Sequence, residues 1–145
     1  MLVHGTCVAL KVGRRWHGVL LRGPSGSGKS DLALRLIDEG ARLVADDQTR
    51  LVRKGRALIA TVPESLKSMM EVRGIGIVTL GLGQTLASVP LSLLVDLAAA
   101  DRIERMPEPA REALEGMELP LLALAAFEAS AGAKLRLALA RIAAA

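Results

Sequence analysis

The segment GPSGSGKS, residues 23–30, places two glycines, a lysine and a serine at the spacing G-x-x-x-x-G-K-S, with a third glycine between them. Glycines let the backbone curl so that successive N–H groups face inward around an anion. The pattern therefore predicts a phosphate-binding loop in which Lys29 reaches the outer phosphates of a nucleotide and the Ser30 hydroxyl binds Mg²⁺. The predicted nucleotide-binding residues are Gly23, Pro24, Ser25, Gly26, Ser27, Gly28, Lys29 and Ser30.

An ordinary Gly–Ser turn before a helix is the competing interpretation of this segment. With glycine at about 7% of residues, the pattern arises by accident in roughly one random chain of this length in two hundred. The apolar stretch GVLL precedes the loop and the amphipathic stretch SDLALRLIDEG follows it. That is the strand–loop–helix context of a phosphate loop, so the context favours phosphate binding.

Two apolar runs carry the aspartates that could complete a nucleotide site. ARLVADD ends in Asp46 and Asp47, and LSLLVDL contains Asp96. Asp96 matches the usual position of the carboxylate that holds the water shell of the metal, but a lone aspartate at a strand end is equally suited to capping a turn. Adjacent strand residues point to opposite faces. We therefore expect one of Asp46 and Asp47 to face the phosphates, while the other pairs with a basic side chain or caps a turn.

A second carboxylate beside the terminal phosphate indicates a kinase more than a simple nucleotide hydrolase. Such a group can accept the proton of an incoming hydroxyl. Two alternatives remain open from these residues. One is a P-loop kinase of a small metabolite, although the segment DRIERMPEPAR offers few arginines for its lid. The other is a non-catalytic nucleotide-binding sensor module.

Apolar patterning predicts the elements that must position these residues. LVHGTCVALKV and WHGVLLRG predict two strands joined as a hairpin at GRR, and SDLALRLIDEG predicts a helix that ends near Gly40. A short buried strand, ARLVA, follows. Later elements are a hairpin at TRLVRKGRALIA, strands at IGIVTL, LSLLVDL and LPLLAL, a loop with a short helix at AADRIERMPEPAREALEGME, and a closing helix at SAGAKLRLALARIAAA.

Length and composition narrow the function classes. The 145 residues predict one domain, 1–145. Trp16 and Phe127 are the only aromatic residues and the net charge of +4 is scattered, which argues against nucleic-acid binding. Cys7 is the only cysteine, so no internal disulfide is possible. No signal peptide is visible and no apolar run reaches the ~20 residues of a spanning helix, so we expect a cytoplasmic protein with no membrane partner.

Three segments resemble a known family. HGTCVAL, GPSGSGKSDLALRLIDEGARLVADD and MEVRGIGIV resemble, in order, the signature segments of the C-terminal catalytic domain of bacterial HPr kinase/phosphorylase. The chain is similar to the short form that lacks the N-terminal domain. The resemblance implies an α/β fold, namely a P-loop kinase variant with a mixed sheet and flanking helices. Around the nucleotide site this fold is similar to phosphoenolpyruvate carboxykinase.

The resemblance also implies an activity. Members of the family use ATP and Mg²⁺ to phosphorylate a serine of HPr, or of a related phosphocarrier of the sugar phosphotransferase system, and are commonly hexamers. Some members also remove that phosphate with inorganic phosphate. The late segment ELPLLALAAFEASAGAK lacks the arginine of the loop that serves this second reaction, so kinase activity is the better supported. Arg102 and Arg105 are the only replacements that the sequence suggests.

By the same resemblance, Asp47 takes the proton from the target serine. His4 lies near Asp47 and holds or tunes its carboxylate. Lys29 binds the β- and γ-phosphates. Asp46 is expected to anchor the end of its strand. Without the family, His4 at the start of a strand would be interpreted as structural.

The metal site and a supporting arginine are implied in the same way. Ser30 and Glu71 would coordinate Mg²⁺. Arg73 lies in the EVRG segment, which shapes catalytic and oligomer contacts in the family. Alone, Glu71 and Arg73 would be ordinary surface charges, and only their order after the phosphate loop gives them a predicted role.

Overall fold

A computed structural model of the chain describes residues 1–144. This part contains eleven strands, two α-helices and three single-turn 3₁₀ segments at Glu64–Leu66, Leu82–Gln84 and Ala100–Arg102. The strands and helices are β1 (Leu2–His4), β2 (Thr6–Val12), β3 (Arg15–Arg22), α1 (Lys29–Asp38), β4 (Arg42–Ala45), β5 (Gln48–Lys54), β6 (Ala57–Thr61), β7 (Met69–Val72), β8 (Gly76–Thr79), β9 (Ser88–Leu97), β10 (Ala110–Leu114), β11 (Met117–Leu124) and α2 (Ala131–Ala144).

Nine of the strands form one mixed sheet that branches at β9. Along the main path the order is β1-β5-β6-β9-β3-β2-β4, and β10 joins through β11, which pairs with β9. β9 runs parallel to β3 and β11 but antiparallel to β6. β7 and β8 form a separate antiparallel hairpin. The expected mixed sheet is therefore confirmed.

Alternating strand residues divide the interior into two apolar clusters. In β2, Val8 packs in the cluster that contains both helices, whereas its neighbour Ala9 packs in the other cluster. The same alternation separates Val95 from Leu94 in β9, as the period of two requires. Both helices thus cover one face of the sheet. The second cluster takes residues from β5, β6 and β11, such as Leu58, so curled sheet covers the other face.

The segment between β9 and β11 differs from its prediction. We predicted a loop with a short helix, but only one 3₁₀ turn forms and β10 follows it. β10 pairs antiparallel with β11 from Ala110 to Leu114. Its sequence AREAL favours a helix by composition, yet its position beside β11 supplies backbone partners that local propensity cannot anticipate. The β2–β3 and β5–β6 hairpins and the closing helix are confirmed, but the first predicted strand is divided at Gly5 into β1 and β2, and β1 pairs with β5.

The structure describes the environment of Cys7 and the character of the two helices. Cys7 is fully buried in β2 as a small apolar residue, and burial raises the pKa of its thiol to about 12. The thiol is therefore protonated and unreactive in the folded protein. Within residues 1–144, neither helix has the length and apolar character needed to cross a membrane.

Candidate active site

The phosphate loop connects β3 to α1, as its sequence context predicts. Gly28 is the N-cap of α1, with φ 99°, so no side chain caps the first-turn amides. A Cβ at Gly28 would lie 2.7 Å from the Ala126 Cβ and 3.1 Å from the Phe127 ring. Both the left-handed backbone and the close neighbours thus require glycine here. The helix presents its positive end and free N–H groups to the loop, an arrangement suited to an anion.

Two buried side chains of the loop differ in their hydrogen bonding. Lys29 is buried, and its Nζ donates hydrogen bonds to the carbonyl oxygens of Gly23 at 2.6 Å and Pro24 at 3.1 Å. The Ser27 hydroxyl oxygen is buried and has no hydrogen-bond partner within residues 1–144. Buried polar groups are normally paired, so this unpaired hydroxyl is an exception within the loop. The buried ammonium of Lys29 and the free N–H groups at the start of α1 fit the phosphates of a nucleotide.

Asp46 lies beneath the cleft and joins three elements. Its side chain accepts hydrogen bonds from the Ser30 hydroxyl at 2.8 Å and the Thr6 hydroxyl at 3.0 Å, both at Oδ1. Its Oδ2 accepts one from the backbone N–H of Glu71 at 3.1 Å. The residue is only 8% exposed. Asp46 therefore fixes the orientation of the Ser30 hydroxyl, a contact that the sequence did not predict.

Asp47 faces solvent at the mouth of the same site. Its side chain is 64% exposed, and its Oδ1 lies 2.7 Å from His4 Nε2. The backbone is fixed because its carbonyl accepts from the Gly5 N–H at 2.8 Å and its own N–H donates to the Thr6 hydroxyl at 3.2 Å. His4 and Asp47, which we expected to lie close together, do so.

Strand alternation is not what separates the two aspartates. β4 ends at Ala45, so Asp46 and Asp47 both lie in the bend that follows it. Asp47 has φ 66°, a left-handed conformation that a short polar residue tolerates better than most. This reversal turns one carboxylate into the interior and the other outward.

These groups meet in an open cleft of about 740 Å³, within the size range of small-molecule sites. It draws on the loop, the start of α1, β1, the bend after β4 and the β7–β8 hairpin. Nine of the thirteen predicted site residues line it: His4, Ser25, Gly26, Gly28, Lys29, Ser30, Asp47, Glu71 and Arg73. The other four, Gly23, Pro24, Ser27 and Asp46, do not line it.

The β7–β8 hairpin brings a further carboxylate and a cation to the cleft. Glu71 lies in β7 and Arg73 in the turn that follows it, and both are exposed. Within residues 1–144, Arg73 is the one arginine that lines the cleft, whereas Arg102 and Arg105 lie outside it. No group of three or more His, Cys, Asp or Glu in this part of the chain could hold a metal ion. A metal here would need phosphate oxygens as ligands, as Mg²⁺ commonly does.

Asp96 is engaged elsewhere and is not the carboxylate of the nucleotide site. Arg22 Nε donates to its Oδ1 at 2.8 Å and Arg22 Nη2 to its Oδ2 at 3.2 Å. The same guanidinium also binds Glu112 through contacts of 2.6 and 2.8 Å. These hydrogen bonds hold the pKa of the Glu112 carboxyl below its usual value. The cluster joins β3, β9 and β10, so its role is structural.

This cluster makes stability depend on pH. Because the pKa of Glu112 is lowered on folding, its ionised form adds stability above the ordinary value of about 4.3. That contribution is lost as the pH falls through the folded-state pKa. We expect Glu112→Gln to lower the melting temperature by about 1–3 °C at neutral pH, and the difference from wild type to shrink below about pH 4.

Circular dichroism melts across pH provide the measurement. Glu118→Gln is the control, because Glu118 is exposed and lies 3.5 Å from Arg111 on the neighbouring strand. A Glu112→Gln effect of equal size at every pH would contradict the assignment.

Two residues that shape the site were missed as site residues. Thr6, fully buried, binds both aspartates and so orients the pair. It lies inside HGTCVAL, the segment that carries part of the family resemblance. Phe127 lines the cleft beside Gly28. The only sequence signal for it was its place after the last apolar strand.

Known proteins that this chain resembles in sequence carry the same family name. The HPr Serine kinase C-terminal domain family matches residues 1–129. The HPr kinase/phosphorylase of Limosilactobacillus reuteri is 45% identical over 85 residues, which are 55% of this chain and 27% of that protein. The HPr kinase/phosphorylase of Leptothrix cholodnii is 41% identical over 118 residues, 74% of this chain and 36% of that protein. The chain thus spans well under half the length of these curated relatives.

A solved structure shares the fold. The Hpr(Ser) kinase/phosphatase of Coxiella burnetii aligns with a TM-score of 0.80 over 99% of this chain and 94% of that one, at 24% identity. This likeness shows the mixed α/β arrangement with its curled sheet, while the relation to phosphoenolpyruvate carboxykinase stays a prediction. Since the family match spans residues 1–129 of 145, the chain belongs to the HPr Serine kinase C-terminal domain family.

Proposed function

We propose that this protein is an ATP-dependent protein serine kinase acting on HPr or a related phosphocarrier of the sugar phosphotransferase system. One observation carries the proposal: the exposed carboxylate of Asp47, held by His4, shares a cleft with the phosphate-loop residues Lys29 and Ser30. Nucleotide binding alone does not need such a carboxylate. The names of the relatives supply the substrate class.

Phosphate binding is assigned to the loop and the first turn of α1. The N–H groups that follow Gly28 and the ammonium of Lys29 bind the β- and γ-phosphates. These groups are fixed before the nucleotide arrives, because the turn and helix hold the backbone. Preorganised donors of this kind stabilise the charge that develops during phosphoryl transfer.

Asp47 is assigned as the general base. The serine hydroxyl oxygen of the carrier attacks the γ-phosphorus, its proton passes to Asp47, and ADP leaves with the bond to the bridging oxygen broken. The exposed position of Asp47 suits a protein substrate, which must bring its serine to the surface. His4 contacts the carboxylate at 2.7 Å and keeps it oriented towards the cleft.

Mg²⁺ is assigned to the Ser30 hydroxyl and Glu71, with phosphate oxygens completing its coordination. Bound there, the ion would neutralise phosphate charge and hold the terminal phosphates in line. Asp46 acts through Ser30, whose hydroxyl it fixes at 2.8 Å. Its burial and three hydrogen bonds make it a positioning residue. The same contacts make Asp46 unsuited to take the proton of the substrate, a role assigned to the exposed Asp47.

Arg73 is assigned the role of a cation for the transferring phosphoryl group. It is the arginine of the described chain that lines the cleft, and it lies two residues after Glu71 on the same hairpin. Ile75 and Ile77, at and beyond the hairpin turn, are largely exposed apolar residues. Exposed apolar side chains grouped in this way favour contact with another protein surface, which agrees with the expected homo-oligomer.

Glu71→Gln is expected to raise the Mg²⁺ concentration needed for half-maximal transfer by about tenfold or more. The amide keeps the size of the side chain but removes the negative charge that attracts the ion. Titration of activity against Mg²⁺ gives the value. Glu64→Gln, an exposed acid in the turn before β7, is the control. An unchanged Mg²⁺ titration for Glu71→Gln would remove Glu71 from the metal site.

The test of the function is phosphate transfer from labelled ATP to a purified HPr-type carrier and to the same carrier with its target serine replaced by alanine. We expect label on the first protein only. Label appearing on small metabolites but not on the carrier would indicate a metabolite kinase. ATP binding without transfer to either would indicate a sensor module.

A further inference from the structure

Phe127 is the only phenylalanine of the chain, and 70% of it is exposed. Single exposed apolar residues are common, so exposure by itself carries no argument. The position of Phe127 is informative, because the ring lies in the turn between β11 and α2 and lines the cleft beside the phosphate loop. A large apolar side chain that is exposed next to a polar binding site indicates that an apolar part of the ligand covers it when the ligand binds.

The ring contacts the point where the phosphate loop becomes a helix. Its Cζ and Cε1 atoms lie 3.1 and 3.2 Å from the place that a Cβ on Gly28 would take. Lys29 and Ser30, the next two residues, are the predicted phosphate and metal ligands. Leu34, one turn further along α1, lines the same cleft. An apolar wall therefore adjoins the residues assigned to the phosphate groups.

The turn that carries Phe127 is fixed by Arg35. The guanidinium donates to the backbone carbonyl of Ala126 and, at 3.4 Å, to that of Glu128. It also pairs with Asp31 at 2.9 Å. The peptide is thus held on both sides of Phe127 by one side chain of α1. Fixing a contact surface in advance reduces the entropy lost when a ligand binds.

We infer that Phe127 is the stacking platform for the base of the nucleotide, an inference that rests on the proposed nucleotide-binding function of the loop. An aromatic face attracts any base, because every base has a π-face. The carbonyls of Ala126 and Glu128, which flank Phe127 in the chain, both accept from Arg35. A stacking contact by itself does not distinguish one purine base from another, so ATP and GTP should gain equally from it.

Calorimetric titration of the whole protein with Mg²⁺ and ATP, GTP or inorganic tripolyphosphate tests this inference. Phe127→Ala is expected to weaken binding of ATP and GTP by about fivefold to a hundredfold, and to leave tripolyphosphate affinity unchanged. Phe127→Trp should retain ATP affinity. Leu137→Ala is the matched control, because Leu137 is an apolar residue of α2 that is 67% exposed and lies outside the cleft.

Three results would overturn the inference. Equal loss of ATP and tripolyphosphate affinity would mean that Phe127 shapes the loop through Gly28 and does not touch the base. Unchanged ATP affinity in Phe127→Ala would mean that the ring contributes no platform, while the proposed function stands. Wild-type protein that binds none of the three ligands would overturn the nucleotide-binding function as well.

Discussion

Asp47→Asn is expected to reduce the rate of serine phosphorylation by about 10²–10⁴-fold while nucleotide affinity is retained. Asparagine keeps the size of the side chain and one acceptor oxygen, but it cannot take a proton. The contact with His4 at 2.7 Å involves one carboxylate oxygen, so the amide can still occupy the same place. Single-turnover phosphoryl transfer, with nucleotide affinity determined separately, gives the two quantities.

Asp46→Asn is the paired variant. Its carboxylate accepts three hydrogen bonds in the interior, from Thr6, Ser30 and the backbone of Glu71. An amide nitrogen there would face a donor, so we expect lower stability and a disturbed Ser30, with a smaller effect on the chemical step. A dead Asp46→Asn with a near-normal Asp47→Asn would reverse the assignment. Normal transfer by both would mean that neither residue is the base.

Lys29→Ala is expected to reduce phosphoryl transfer by about 10²–10³-fold or more, mainly through weaker nucleotide binding. The change removes the ammonium that contacts the outer phosphates. It also removes two hydrogen bonds to the carbonyls of Gly23 and Pro24, so the loop itself loses a constraint. Calorimetric titration with ATP and the transfer assay measure the loss.

A control is needed because Lys29 is buried and its removal could unfold the loop. Lys54→Ala, at the exposed end of β5, removes a charge without touching the cleft. The melting temperature of Lys29→Ala should stay close to that of wild type if only the loop is affected. Transfer at the wild-type rate by Lys29→Ala would refute the phosphate-binding role of the segment.

Local patterns predicted most of the elements around the site. The strand before residue 23, the glycine-rich turn and helix α1 are contiguous, so their dihedral preferences and apolar spacing lie in one stretch of sequence. The same holds for the β5–β6 hairpin and for α2. β10 could not be predicted in this way, because its residues favour a helix and its pairing partner β11 decides its conformation.

The sequence by itself determined the phosphate loop, the adjacent aspartates and the order of segments that identifies the family, because each is a property of neighbouring residues. Only the tertiary structure decided which aspartate faces outward. That choice depends on the left-handed turn at Asp47 and on the Thr6 hydroxyl, 41 positions away along the chain.

The same distinction applies to Asp96 and Phe127. The partner of Asp96 is Arg22, 74 positions earlier, and Phe127 meets Gly28 only because β11 runs parallel to β9 and ends beside the loop. Contacts between residues so far apart in sequence leave no local pattern. They follow from strand order and packing, which the whole chain determines together.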